Sequence, residues 1–425
     1  MSEKELNKNV KLYPSYRAFA YDFLFLWTIS ILYLTEVKGL SYSQVIFLDS
    51  IFMLASFGFQ IPITKLIKKL GRVPMARLAS ITWLGFSFIY LFGEGFPIFI
   101  FANILYGFGN SIRNITDIEI VSLSLKQLNR KRDFAKIEGK AMFIYNIIEA
   151  FSSILAGYLY EFVNPYAPMI GTVICCGIST ILSFIIKDPL EDEPEEQLAL
   201  QKQEENKSKR EPSYKALLKR PFVIAMIIFC FSCFGMTSVQ NSLAKIYFQD
   251  INTPAYLFGY IFCALKLISA FTYKYEFKYE LKKGVRSLII FVAMLIIAYS
   301  ANAIIYAINP NAVVSIILIT LMFVFQQIAR SGYRIGAKNY INSCSSKNGL
   351  TKTLTIYSMS EGLGYAFVTM FISVVLELSN NSFVIANLAL VGLLGIPMIV
   401  GVILFVRALI KSYMTRCTTI RKDLE

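Results

Sequence analysis

The sequence predicts an all-α, polytopic membrane protein, with twelve transmembrane helices in two six-helix halves. Three observations carry this expectation. Apolar runs of about 18–25 residues, the length a helix needs to cross a bilayer, recur six times before residue 187 and six times after residue 220. Between them lies a polar insert, Lys187 to Arg220, whose 34 residues hold nine acids and eight bases. Its composition is that of a solvated linker, and it contains no run that could enter lipid. Hydrophobic residues make up 56% of the 425 and charged residues 16%. A soluble chain of this length would not concentrate its apolar residues in long uninterrupted runs.

In chain order the spans are expected at 15–35, 42–64, 74–92, 96–122, 137–160 and 166–186, then at 221–243, 255–273, 285–308, 312–334, 353–376 and 383–406. Helices follow because an open strand cannot pair its backbone in lipid. The roughly ten-residue alternation of a membrane barrel is absent. The domain reading is then an N-tail (1–14), a six-helix bundle (15–186), the linker (187–220), a second bundle (221–406) and a C-tail (407–425).

Lysines and arginines orient the spans. Of 42, the tails, the linker and every second loop hold 37. The opposite loops hold Lys38 and Lys245, and Arg113, Lys266 and Arg330 fall at or within spans. That asymmetry predicts both termini in the cytoplasm. It also accounts for the net charge of +14 through basic loops facing an anionic leaflet, without nucleic acid. The opposite loops, such as Gly93–Gly95 and Val163–Pro165, are too short for an external domain.

Composition excludes some chemistry. With no histidine, neither imidazole relays nor His-based metal sites are available. Five of the seven cysteines fall inside spans and two on cytoplasmic segments, so no disulfide is expected. The Cys230-Phe-Ser-Cys233 spacing sits in an apolar run and reads as buried core thiols. Residues Met1 to Tyr13 are polar, and the span after them is too long for a signal-peptide core.

The halves align weakly at an offset near 214 residues. Tyr33-x-x-Glu36 falls on Tyr247-x-x-Asp250, Arg113 on Arg330, and Tyr145-x-x-x-Glu149 on Tyr357-x-x-x-Glu361. A duplicated six-span unit is the kind of repeat that sets a transport site between halves. With its twelve spans, internal termini and long charged central loop, the chain resembles the major facilitator superfamily over nearly its whole length. That family's signature between spans 2 and 3 is Gly-x-x-x-Asp-Arg-x-Gly-Arg-Arg/Lys. Here the stretch runs Thr64 to Val73. Gly71 and Arg72 match, Lys69 is conservative, and Thr64 and Lys68 stand for the Gly and the Asp. The Gly-Pro motif of drug antiporters in span 5 is missing, since Ala150 to Gly157 holds no Pro.

Ionisable residues deep in a span are candidates for function. Glu149 and Glu361 each stand nine residues past a lysine, about 13 Å into a core roughly 30 Å thick. Tyr145 and Tyr357 lie one turn earlier on the same faces. Desolvation disfavours a charged carboxyl, so either glutamate is a candidate proton carrier or a hydrogen-bonded structural acid. Asp49 and Lys266 are also deep, and a buried lysine needs an acidic partner. What the resemblance implies is Lys266 near Glu149 and Asp49 near Glu361. Asp22 either faces a cavity or pairs with a base at headgroup level. Arg113 with Asp117, and Arg330 with Arg334, have i,i+4 spacing. The two leading arginines either snorkel to the cytoplasmic face or line an inner vestibule that could hold a carboxylate or phosphate, made polar by Asn110, Gln326 and Gln327.

The expected function is secondary active transport by alternating access, proton-coupled through Glu149 and Glu361, with Asp49 and Asp22 as further acids. Export of amphipathic or cationic compounds is favoured, and an anionic metabolite recognised by Arg113 and Arg330 is the alternative. No Gly-x-x-x-x-Gly-Lys-Ser/Thr stretch exists for ATP. A membrane-embedded enzyme, the remote alternative, would need a metal or nucleophile cluster that the sequence lacks. A receptor or scaffold would want an external domain or an ordered linker. The reading therefore has no catalytic or metal residues and no cofactor. Its partners are a small-molecule substrate, protons and the lipid of a bacterial cytoplasmic membrane, and the chain acts as a monomer.

Overall fold

The structure is a computed structural model describing residues 3–130, 133–189, 213–268, 286–308, 311–344 and 350–422. The described secondary structure is helical: α1 (Glu3–Ala20), α2 (Leu26–Leu32), α3 (Tyr42–Leu70), α4 (Arg72–Phe92), α5 (Phe96–Gln127), α6 (Phe134–Tyr158) and α7 (Ala167–Ile185). After these come α8 (Tyr214–Leu218), α9 (Pro221–Asp250) and α10 (Ala255–Ile268), followed by α11 (Arg286–Ile308), α12 (Ala312–Cys344), α13 (Leu350–Leu378) and α14 (Phe383–Lys422).

Nine helices among the described residues are long and apolar enough to cross a membrane. The other three expected spans also fall on helix, and each departs from a simple span for a physical reason. The first is broken between α1 and α2. The fourth, α5, carries Arg113, Asp117 and Glu119. The eighth, α10, is described for a short stretch, and residues 269–273 of that expected span lie outside the described residues. Most of the linker, 190–212, lies outside them too. Large apolar side chains such as Phe151 (69% exposed) and Ile297 (66% exposed) face outward, as a chain solvated by lipid tails requires and a water-soluble one avoids.

Two expectations about ends are corrected. The polar N-tail is not a tail: α1 begins at Glu3 and buries Leu6, Val10 and Tyr13 in the first unit. Asn9 exchanges two hydrogen bonds with the Lys187 backbone (2.8 and 3.2 Å). Lys245 is not in a loop, because α9 continues to Asp250 and buries it.

The chain forms two compact units, and they do not follow chain order. The first joins residues 1–203 to 252–267, so α10 belongs with α1–α7. The second holds residues 204–251 and 268–425. Helix α10 is held in the first unit by close backbone packing on α6. A Cβ added at Gly157 would stand 2.5 Å from the Ala255 carbonyl oxygen, and one at Gly259 would stand 2.6 Å from that of Ser153. Only glycine permits that approach on both helices. Glu161 accepts from the Ala255 amide (2.8 Å) at the start of α10, where the helix dipole favours a carboxylate.

Candidate functional site

The first span breaks at Tyr21–Phe25, and the site is built around that break. Neither Gly nor Pro causes it. Asp22 turns its own Oδ1 onto the Phe23 amide (2.8 Å), a local bond that competes with the helical one. Phe25 takes φ 68°, an unusual conformation for a bulky residue, with its ring packed over Gly171. The carbonyls freed by the break must find donors, since water is absent. Arg113 Nη1 donates to Ala20 O, and Thr172 Oγ1 donates to Leu24 O at 2.8 Å.

On one side of the break the structure gathers three charged groups. Lys266 Nζ stands 2.5 Å from Glu149 Oε1 and 4.2 Å from the centre of the Trp27 ring. The Tyr145 hydroxyl, one turn earlier on the same helix, also hydrogen-bonds the Glu149 carboxylate. Glu149 and Lys266 both lie within electrostatic reach of Asp22. Tyr106 donates to Asp22 Oδ1 at 3.4 Å. Tyr145, expected beside Glu149, does lie within its electrostatic reach and packs its ring on Tyr21 at 4.5 Å. Among the described residues, the surroundings of Asp22 are Phe23, Tyr106, Glu149 and Lys266 and not a headgroup-level base.

On the other side lie the arginines, where two expectations fail. Arg113 is 2% exposed and does not snorkel. Its Nη2 donates to Ser80 Oγ and Ser179 Oγ (both 3.0 Å), and its guanidinium stacks on Trp83 at 4.0 Å. Nor does Asp117 take Arg113 as its ion-pair partner. It pairs with Arg17 of α1 (3.1 Å) and accepts from Tyr16 (3.0 Å). The fold carries Arg17, near the end of α1, into the interior. The vestibule residue Asn110 donates to Ser56 Oγ (3.0 Å) and ties α5 to α3. Arg72, in the loop resembling the family signature, pairs with Glu119 of α5 at 2.8 Å. Asp49 is half-buried on α3 within reach of Tyr90.

The second unit holds the repeat of the motif with different partners. Tyr357 donates to Glu361 Oε1 at 2.6 Å, and Cys233 lies within electrostatic reach of that glutamate. Arg330 is half-buried, 5.9 Å from the Phe234 ring. Gln326 is buried with neither amide atom hydrogen-bonded among the described residues, whereas Gln327 is half-buried and partnered. The side chain of Arg334 lies outside the described ones.

Sequence reasoning missed Trp27, Tyr106, Arg17 and Tyr16. Trp27 had one usable signal, being one of two tryptophans and lying five residues past an intramembrane acid.

Comparison with known proteins sets this geometry in a wider fold. The description Major Facilitator Superfamily matches residues 14–321. No curated protein matches the chain by sequence. Among solved structures, the nucleoside transporter NupG superposes with a TM-score of 0.73 at 11% identity, covering 94% of this chain and 99% of that one. A D-xylose-proton symporter gives 0.68 at 12%, covering 93% and 96%. A bacterial homologue of the iron transporter ferroportin in an inward-facing state gives 0.70 at 14%, covering 95% and 100%. At such identities the likeness is one of fold.

Proposed function

The chain belongs to the Major Facilitator Superfamily, and from that premise we propose that it is a proton-coupled secondary transporter exporting an amphipathic or cationic small molecule. The coarser part, small-molecule transport by a multi-pass membrane protein, comes with the family. The finer part rests on one observation, the Lys266–Glu149 ion pair beside a broken first span with Asp22 in reach. Discontinuous helices expose backbone and side-chain polar groups at membrane depth, where transporters of this kind bind. Protonating Glu149 removes the charge that holds Lys266, so proton binding and rearrangement of α6 against α10 are coupled electrostatically.

Cation export is favoured over anion transport because of what the arginines do. Both terminal nitrogens of Arg113 are committed to protein acceptors, which weakens the reading in which Arg113 and Arg330 grip an anionic metabolite. Glu361 remains the proposed second acid, and Asp49 a further one.

The test is flux in proteoliposomes across a substrate panel, with and without an imposed pH gradient. The gradient should raise flux several-fold, and Glu149→Gln should abolish that response while leaving slow downhill exchange. Flux indifferent to the gradient, and unchanged by Glu149→Gln and Glu361→Gln, would sink proton coupling.

A further inference from the structure

We propose that Lys266 is the resident occupant of an ammonium-binding box, and that the transported molecule is a protonated organic amine with an aromatic body that takes its place. This rests on the reading that Glu149 belongs to the transport site, and it adds the substrate class.

The argument starts from what an ammonium recognises: a carboxylate in contact and the face of an aromatic ring. Lys266 has both, Glu149 at 2.5 Å and Trp27 at 4.2 Å. A second carboxylate, Asp22, is in electrostatic reach of the same nitrogen. Two bases of the same unit are engaged elsewhere, Arg17 with Asp117 and Arg113 with Ala20, Ser80 and Ser179.

The two partners differ in freedom. The Glu149 side chain is 4% exposed, whereas that of Lys266 is 24% exposed. The acid is the more enclosed partner, and the lysine reaches it on a long flexible stem. An incoming amine can therefore displace it without moving the carboxylate. Further rings adjoin the charged groups: Phe262 stands edge-on to Trp27 at 5.4 Å, and Phe52 stacks at 3.9 Å on Tyr106, the donor to Asp22. These rings suit an apolar or aromatic body attached to the amine.

The probe is N,N-dimethylphenethylamine, a protonated tertiary amine, titrated calorimetrically into the purified full chain. 2-Phenylethanol and 3-phenylpropionate serve as neutral and anionic counterparts. Lys266→Met should bind the amine at least tenfold more tightly than the unsubstituted chain. The alcohol and the acid should gain nothing, and adding Glu149→Gln should remove the gain. Equal or weaker amine binding by a folded Lys266→Met protein, or no amine binding by either, overturns the proposal.

Should Lys266→Met fail to fold, the unsubstituted chain carries the test. The amine should speed acylation of Lys266 by an N-hydroxysuccinimide ester, read by mass spectrometry relative to other lysines. An unchanged or slower rate overturns the box. Proton coupling is judged separately from gradient-driven flux. Coupled flux of some other substrate without amine binding removes the box alone. Amine binding with gradient-indifferent flux removes the coupling alone.

Discussion

Arg113, with Asp117 one turn on, had a snorkelling position at the cytoplasmic face as one of its two sequence readings, and the fold buries both together with Arg17. The Arg17–Asp117 pair has side chains 7% and 0% exposed, so removing one partner strands the other in a low-dielectric interior. Asp117→Asn should therefore lower stability by about 3–5 kcal/mol, measured by thermal unfolding in detergent. The double change Arg17→Met with Asp117→Leu should recover most of that loss, because no charge is then left unpaired. A single variant as stable as the parent would mean the pair is solvated after all. Arg113 illustrates why position alone misled. After 17 apolar residues, an arginine at the end of a run looks like a snorkel. Its acceptor, the Ala20 carbonyl, exists only because a different helix is interrupted there.

At the scale of elements, the pairing of α6 with α10 is the contact on which the proposed mechanism turns. It runs from Glu161 on the Ala255 amide, through the hydroxyls of Tyr158 and Tyr260 (2.9 Å) and the two glycines, to Glu149 with Lys266. Both i→i+5 turns of the described chain border this region, Tyr33–Val37 and Leu159–Val163, joined by Tyr160 donating to Glu36 at 2.7 Å. Such turns recur at functional sites. Gly157→Ala or Gly259→Ala should force the helices apart and destabilise the protein by about 1–3 kcal/mol. Gly177→Ala on α7, where an added Cβ meets nothing within 4 Å, should be neutral or stabilising by up to about 1 kcal/mol. Thermal unfolding of the three variants decides it. Equal behaviour would mean that α6 and α10 do not pack at backbone distance.

The Tyr-x-x-x-Glu stretch occurs once in each of the two units, at Tyr145–Glu149 and Tyr357–Glu361. Each glutamate takes the hydroxyl of the tyrosine four residues earlier on its own helix, and Glu149 in addition pairs with a lysine from α10. Glu149→Gln leaves the Lys266 cation behind and should lower stability, measured by thermal unfolding in detergent. Topology is testable at this scale too. Single cysteines at Ser2 and Asp423 should react with an impermeant maleimide only after the membrane is opened, and one at Gly39 should react from outside in intact cells. Labelling of either terminus in intact cells would reverse the orientation.

The sequence by itself determined the family-level architecture. Twelve apolar runs, their charge asymmetry and the Tyr-x-x-x-Glu repeat depend only on local hydropathy and spacing, which lipid enforces strictly. It also marked Glu149, Lys266 and Asp22 as costly intramembrane charges. Only the tertiary structure decided where the first span breaks, which base Asp117 meets, and that α10 joins the first unit. No local pattern encodes these, because each depends on which distant carbonyl, ring or glycine is brought alongside. A buried charge must be satisfied by whatever partner the packing supplies, and the packing is a property of all the helices together.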